Sequence, residues 1–149
     1  MTNSIQTEPT DAFLLELFEN THSIAVIGLS PVPSRPSFGV ARYLIEAGFE
    51  IYGVRPKAPL QILDRPCFEH HRDLKKPIDL INVFRNSEAI PDLVNEIEEW
   101  MKQNPNQSQP RYLWLQEGIS HREAEARARQ AGLKVVSNRC ILKEHRRLS

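Results

Sequence analysis

The chain has 149 residues, 19 basic and 19 acidic, for a formal net charge of zero. That length supports one domain with its own core, while the balanced charge supplies no overall field for drawing the protein onto nucleic acid or a membrane surface, so any anion site has to be local. Two cysteines, Cys67 and Cys140, make no disulfide framework, which favours a reducing cytoplasm. The polar start MTNSIQTEPTD lacks the order of a signal peptide, and no apolar run approaches the ~18 residues needed to span a bilayer.

In chain order, residues 1–9 are expected to form a flexible tail and 10–149 a single domain. Thr10 or Asp11 can cap a first helix whose Phe13, Leu14, Leu17 and Phe18 form an apolar stripe, expected at the edge of a sheet. Residues 23–27 read as a strand, and the unbroken run IAVI suits a parallel strand covered on both faces. A Gly-x-Ser turn and a proline-bearing loop follow, in IAVIGLSPVPSRPSFG. A helix then starts near Ser37, with Val40, Ala41, Leu44 and Ile45 on one face and Gly48 placed for a left-handed C-cap.

Residues 50–54 are the second strand. From 55 to 77, Pro56, Pro59 and Pro66 interrupt any long helix, though 69–75 can form a turn or two; such long connections are often functional. The third strand is 79–84, followed by Asn86 or Ser87 as a cap and a helix carrying Ile90, Leu93, Val94, Ile97 and Met101, with Pro91 in its first turn. Residues 111–115 form the fourth strand. Ser120 and Glu123 have capping-box spacing for a helix ending at Gly132, residues 133–136 form the fifth strand, and NRCILKEHRRLS closes the chain. Strands alternating with helices predict an α/β, doubly wound, Rossmann-like five-stranded parallel sheet with helices on both faces.

Ligands of such sheets bind beyond the carboxyl ends of the strands. Here those ends are Gly28-Leu29-Ser30, Arg55-Pro56-Lys57, Phe84-Arg85-Asn86 and Gln116-Glu117-Gly118. The dinucleotide fingerprint G-x-G-x-x-G would need glycines at positions 30 and 33, where the chain has Ser30 and Pro33, so a nicotinamide cofactor is disfavoured. A helix N-terminus near Ser37–Gly39 remains as a phosphate site, with Ser30, Arg35 and Ser37 as added donors; the competing reading is a plain turn with a solvated Arg35. Arg55 stands where a fold contacting a free ribose places Asp or Glu, and with Lys57 it suits a phosphorylated ribose such as that of NADP or coenzyme A; the competing reading, equally open on position alone, is two exposed cations at a strand end. Arg85 would face the same cleft, holding a diphosphate or pairing with Glu88, while Val83 and Phe84 pack in the core or line the pocket.

No metal site is expected: His70 and His71 are adjacent and should point apart, and Cys67 completes no ligand spacing. Cys140 and His145 read as a buried thiol and a surface imidazole rather than a catalytic pair, and 143–147 as a solvated basic tail.

Several stretches in this order and at these separations carry a resemblance: IAVIGLS with SRPSFGVARYL, VRPK, DRPC, IDLINVFRNSEAIP, LWLQEGI and NRCILKEHRRL. From about Ile24 to Leu148 the chain resembles the stand-alone CoA-binding domain family, Rossmann-like proteins related to the nucleotide-binding domain of the succinyl-CoA ligase alpha subunit. The resemblance implies that the first loop and helix start hold the CoA diphosphate, through Gly28, Ser30, Arg35, Ser37 and Phe38. It places the ends of strands two and three, Arg55 and Lys57 with Val83, Phe84 and Arg85, beside the adenosine part. The family commonly has Asn in place of Arg55, which bears on the adenosine contacts, and Gly in place of Asp64, which suggests a differently shaped turn. The related ligases carry out acyl-CoA chemistry through a phosphohistidine from a later domain that this chain is too short to hold.

The expectation is therefore a cytoplasmic protein binding CoA or an acyl-CoA non-covalently, without catalysis of its own and with neither nucleic acid nor a membrane as partner. Oligomeric state is left open. The alternatives are an NADP-dependent oxidoreductase or CoA-using transferase, for which no acid, base or substrate domain is visible, and a nucleotide-sensing regulatory interaction module.

Overall fold

The computed structural model describes residues 8–149; of the expected tail at 1–9, residues 1–7 lie outside the described residues. Helix α1, Asp11–Asn20, is capped by Thr10, whose side-chain oxygen accepts the Phe13 N–H at 3.0 Å. Strand β1, Ser23–Ile27, leads through the proline-bearing loop to α2, Pro36–Glu46, and then to β2, Glu50–Val54. Gly48, at φ +103°, ends the α2 segment in the left-handed conformation its position suggested. The long connection holds two short strands, β3 (Gln61–Ile62) and β4 (Arg65–Phe68), and a 3-10 turn at His71–Asp73. Strand β5 is Leu80–Val83, helix α3 Ile90–Gln103, β6 Tyr112–Leu115, α4 Arg122–Gln130, β7 Lys134–Val136 and α5 Ile141–Leu148.

The strands form one sheet in the order β3-β4-β2-β1-β5-β6-β7, parallel except for the β3–β4 hairpin. Seven strands replace the expected five. The added pair escaped the sequence reading because Pro66 lies inside β4 and the hairpin turn is Leu63-Asp64, without glycine. Both turn residues have positive φ, 55° and 60°, the conformation a two-residue turn needs to match strand twist. Asp64 thus adopts a backbone conformation that glycine takes more readily.

Side chains alternate across the sheet and divide the core in two. On one face Ile24, Val26, Ile51, Tyr112 and Trp114 pack under Leu14 and Leu17 of α1, Val40, Ala41 and Leu44 of α2, and Ile141 of α5. On the other, Ile27, Val54, Ile81, Val83, Leu113 and Leu115 pack under α3 and α4. Helix α1 therefore lies over a face and not at the sheet edge, its Phe18 stacked on Trp114 with ring centroids 5.8 Å apart.

Two further expectations change. His121, not Ser120, caps α4: its Nδ1 accepts the Ala124 N–H at 3.2 Å, while the buried Glu125 carboxylate accepts the His121 N–H at 2.8 Å. The basic tail is helix α5, clamped to α1 by Arg147, which donates to Asp11 at 2.9 Å and Glu144 at 2.7 Å. Nor is His145 a surface imidazole. It sits edge-on to Phe18, Tyr43 and Phe49, with its Nδ1 2.7 Å from the Tyr43 hydroxyl, and burial holds its pKa below the ordinary value. No described helix is long and apolar enough to cross a membrane.

Candidate functional site

Chain order reverses between β1 and β5: from β1 the sheet continues through β2 in one direction and β5 in the other. At that switch point the loops leaving the two strands diverge and open a crevice at their carboxyl ends. Gly28, the first residue after β1, sits at φ +89°, its N–H donating to Val54 O at 2.7 Å. A Cβ at this position would stand 2.7 Å from Phe84 O. Only glycine lets the ends of β1 and β5 approach this closely.

The loop after Gly28 is braced by its own hydroxyls. Ser37 Oγ, buried in the first turn of α2, accepts the Ser30 N–H at 3.0 Å, and Ser30 Oγ accepts the Val32 N–H at 3.0 Å. Helix α2 opens on Pro36, which has no N–H to leave orphaned. The Phe38 N–H is spent on Arg35 O at 3.1 Å. Ser37 therefore offers the first free N–H, at the positive end of the helix dipole.

These elements bound a cleft of about 1180 Å³. Seven of the residues singled out from the sequence line it: Gly28, Ser30, Arg35, Ser37, Arg55, Phe84 and Arg85. The other three do not. Phe38 is half-buried on the face carrying α1 and α2, with the Arg42 guanidinium over its ring at 5.8 Å; Lys57 is exposed at φ +53° beyond the cleft; Val83 is fully buried beneath α3 and α4.

The sequence reading missed the cleft's far wall. Cys140, Leu142, Lys143 and Arg146, at and within the start of α5, line it with Gln116, Glu117 and Ile119 beyond β6. The spacing of Ile141, His145 and Leu148 was the signal for that helix. Gln116 fixes its position: buried, its Oε1 accepts the Ile141 N–H at 3.0 Å and the Asn82 side-chain amide at 3.2 Å. Five cations (Arg35, Arg55, Arg85, Lys143, Arg146) thus border the cleft against two acids, Glu88 and Glu117. Lys143 is committed to Glu117 at 3.1 Å, whereas Arg35, Arg85 and Arg146 pair with no acid among the described residues. The site is suited to a polyanion.

Metal-ligating side chains do come together elsewhere. His70 and His71 are not splayed apart, as their adjacency suggested: their ring centroids are 4.6 Å apart, and potential ligand atoms of both and of Glu96 lie within 4.8 Å of one another. His70 is extended and His71 begins the 3-10 turn, so the strand and helix alternation rules do not apply to the pair. However, His70 Nδ1 accepts the Arg72 N–H at 3.2 Å, leaving Nε2 to carry the proton towards the Glu96 carboxylate. A metal-bound imidazole needs the opposite arrangement, ligating through one nitrogen and donating from the other. The cluster reads as a hydrogen-bonded brace between the connection and α3.

The sequence of residues 22–146 matches the CoA binding domain family. The protein YneT of Bacillus subtilis (strain 168) is 31% identical over 137 residues, 92% of this chain and 95% of its own. Among solved structures, cell-free ID.343 from Thermus thermophilus superposes with a TM-score of 0.85 at 34% identity, over 95% of this chain and all of that one (100%). A hypothetical protein from Pyrococcus horikoshii OT3 does so with 0.83 at 30% identity, over 97% and 98% of the two chains. This chain belongs to the CoA binding domain family.

Proposed function

We propose that this protein binds CoA or an acyl-CoA non-covalently in the cleft at the β1–β5 switch point. The observation that carries the reading is the cleft itself: a helix N-terminus and Arg35, Arg85 and Arg146, which have no acidic partner among the described residues, border one space large enough for a nucleotide with a long arm. The diphosphate is assigned to the Ser37 N–H, Arg35 and the loop from Gly28 to Ser30. Arg55 is assigned to the 3′-phosphate, with Lys57, exposed beyond the cleft, as a second cation. Phe84 and Arg85 flank the adenosine, while Phe38 and Val83 support the loop and strand end from beneath. Family membership supports the ligand class, and no chemical step is assigned to the site.

Calorimetry with CoA and acetyl-CoA tests the reading; no heat at ~1 mM ligand would overturn it. Arg35→Ala should weaken binding by roughly 1.5 to 3 kcal/mol, the range for a charge-assisted hydrogen bond. Dephospho-CoA should bind more weakly than CoA, and equal affinities would remove the assignment of Arg55 and Lys57.

A further inference from the structure

The return from β4 to β5 crosses the sheet with a 3-10 turn and irregular chain, where a doubly wound fold usually places a helix. The thin cover leaves a cavity of about 290 Å³ between this connection and α3. Ala25 and Ile81 line it from the sheet, Ile97 and Trp100 from α3, and Leu74 and Ile78 from the connection. Ala25 is fully buried, and its small side chain leaves space that a larger one would fill.

Polar groups interrupt these apolar walls, Gln107 and Ser108 from the loop before β6 among them. His71 lines the cavity, and its Nε2 is buried without a hydrogen-bond partner among the described residues. Burial, reinforced by neighbouring His70, lowers its pKa to about 4, so the ring is neutral at pH 7. The lining also runs out to Lys75 and Lys76, both exposed and without an ion-pair partner among the described residues. A buried polar atom normally has a partner. The other ring nitrogen donates to the Glu96 backbone carbonyl, so Nε2 of the neutral ring is an acceptor and the charged end of a ligand falls to the two lysines.

We propose that this cavity is a second ligand site, taking a small carboxylate with an apolar body such as a short- or medium-chain fatty acid. The hydrocarbon packs against Ile81, Ile97 and Trp100, and the carboxylate pairs with the ammonium groups of Lys75 and Lys76 at the rim. The lining loops enter β5 and β6 at their amino ends, whereas the cleft lies at the carboxyl ends, so the two sites fill independently. The inference does not depend on CoA binding.

Titrating the full chain with octanoate while following tryptophan emission tests it, because Trp100 lines the cavity and the other tryptophan, Trp114, is fully buried on the opposite face. A saturable change is expected at or below about 1 mM octanoate. The double variant Lys75→Glu, Lys76→Glu should weaken octanoate by roughly tenfold while leaving the uncharged analogue 1-octanol within about twofold. Ala25→Val, which occupies the space, should abolish both; if that variant does not fold, the exposed lysine pair still decides. No saturation by about 5 mM, equal weakening of acid and alcohol in the lysine variant, or displacement of octanoate by CoA would each overturn the proposal.

Discussion

Gly28 carries more of the site than any charged group, because it permits the strand ends to meet. Gly28→Ala would place a methyl group 2.7 Å from Phe84 O at φ +89°, combining a clash with backbone strain. A loss of about 2 kcal/mol or more in urea unfolding is expected, together with weaker CoA binding. His71 predicts a pH effect whose sign follows from proton counting. The unfolded imidazole titrates near 6.5 and the buried one near 4, so between these values the unfolded chain holds more protons and stability rises with pH. This contribution is complete above pH 6.5 and is lost as pH falls towards 4, by up to about 1.4 kcal/mol per pH unit. His71→Phe should flatten that part of the stability curve, measured by urea unfolding at a series of pH values. A residual slope of the same sign is expected from His145, whose pKa is also held down by burial. Residue types alone revealed Gly28, Ser30, Arg35 and Ser37 as a group, since a turn glycine, hydroxyls and a cation before a helix form a local pattern. They did not reveal that Ser30 and Ser37 use their oxygens to brace the loop, because that depends on how it folds back on α2.

Among the elements, α5 alters the picture most. It turns a run of basic residues into a cleft wall, held at its first residue by Gln116. Gln116→Leu would strip a partner from the Ile141 N–H and from the buried Asn82 amide, each costing about 1 to 3 kcal/mol. A lower urea midpoint is expected, with weaker CoA binding as Lys143 and Arg146 lose their placement; wild-type affinity in a folded variant would show that α5 contributes nothing to the site. The β3–β4 hairpin teaches a related lesson. Its strands are two and four residues long and contain a proline, so no periodicity marks them. They exist because β2 presents an edge, onto which Cys67 and Phe68 pair opposite Gly53 and Val54. Gly53 allows this packing, as a Cβ there would lie 2.8 Å from Leu29 and 2.9 Å from the Cys67 sulfur.

For the whole molecule, zero net charge coexists with a cation-rich cleft, since the acids are spent elsewhere: Glu98 on Arg127 across α3 and α4, Glu144 and Asp11 on Arg147 across α5 and α1. The attraction for a phosphate-rich ligand is therefore short-ranged and only partly screened. Raising salt from about 0.05 M to 0.5 M should weaken CoA binding several-fold. Calorimetry at the two concentrations checks this, and an unchanged affinity would place the phosphates away from the arginines. The doubly wound order of elements and the phosphate-ready start of α2 were legible in the residues because fully buried parallel strands are uninterrupted apolar runs and helix ends carry local chemistry. The two strands of the β3–β4 hairpin, the wall made by α5, the pairing of His70 with Glu96 and the cavity beneath α3 came only from the folded chain. Each rests on partners dozens of residues apart, such as Gln116 with Asn82 and Ile141, and contacts between distant segments leave no spacing to read along a single sequence.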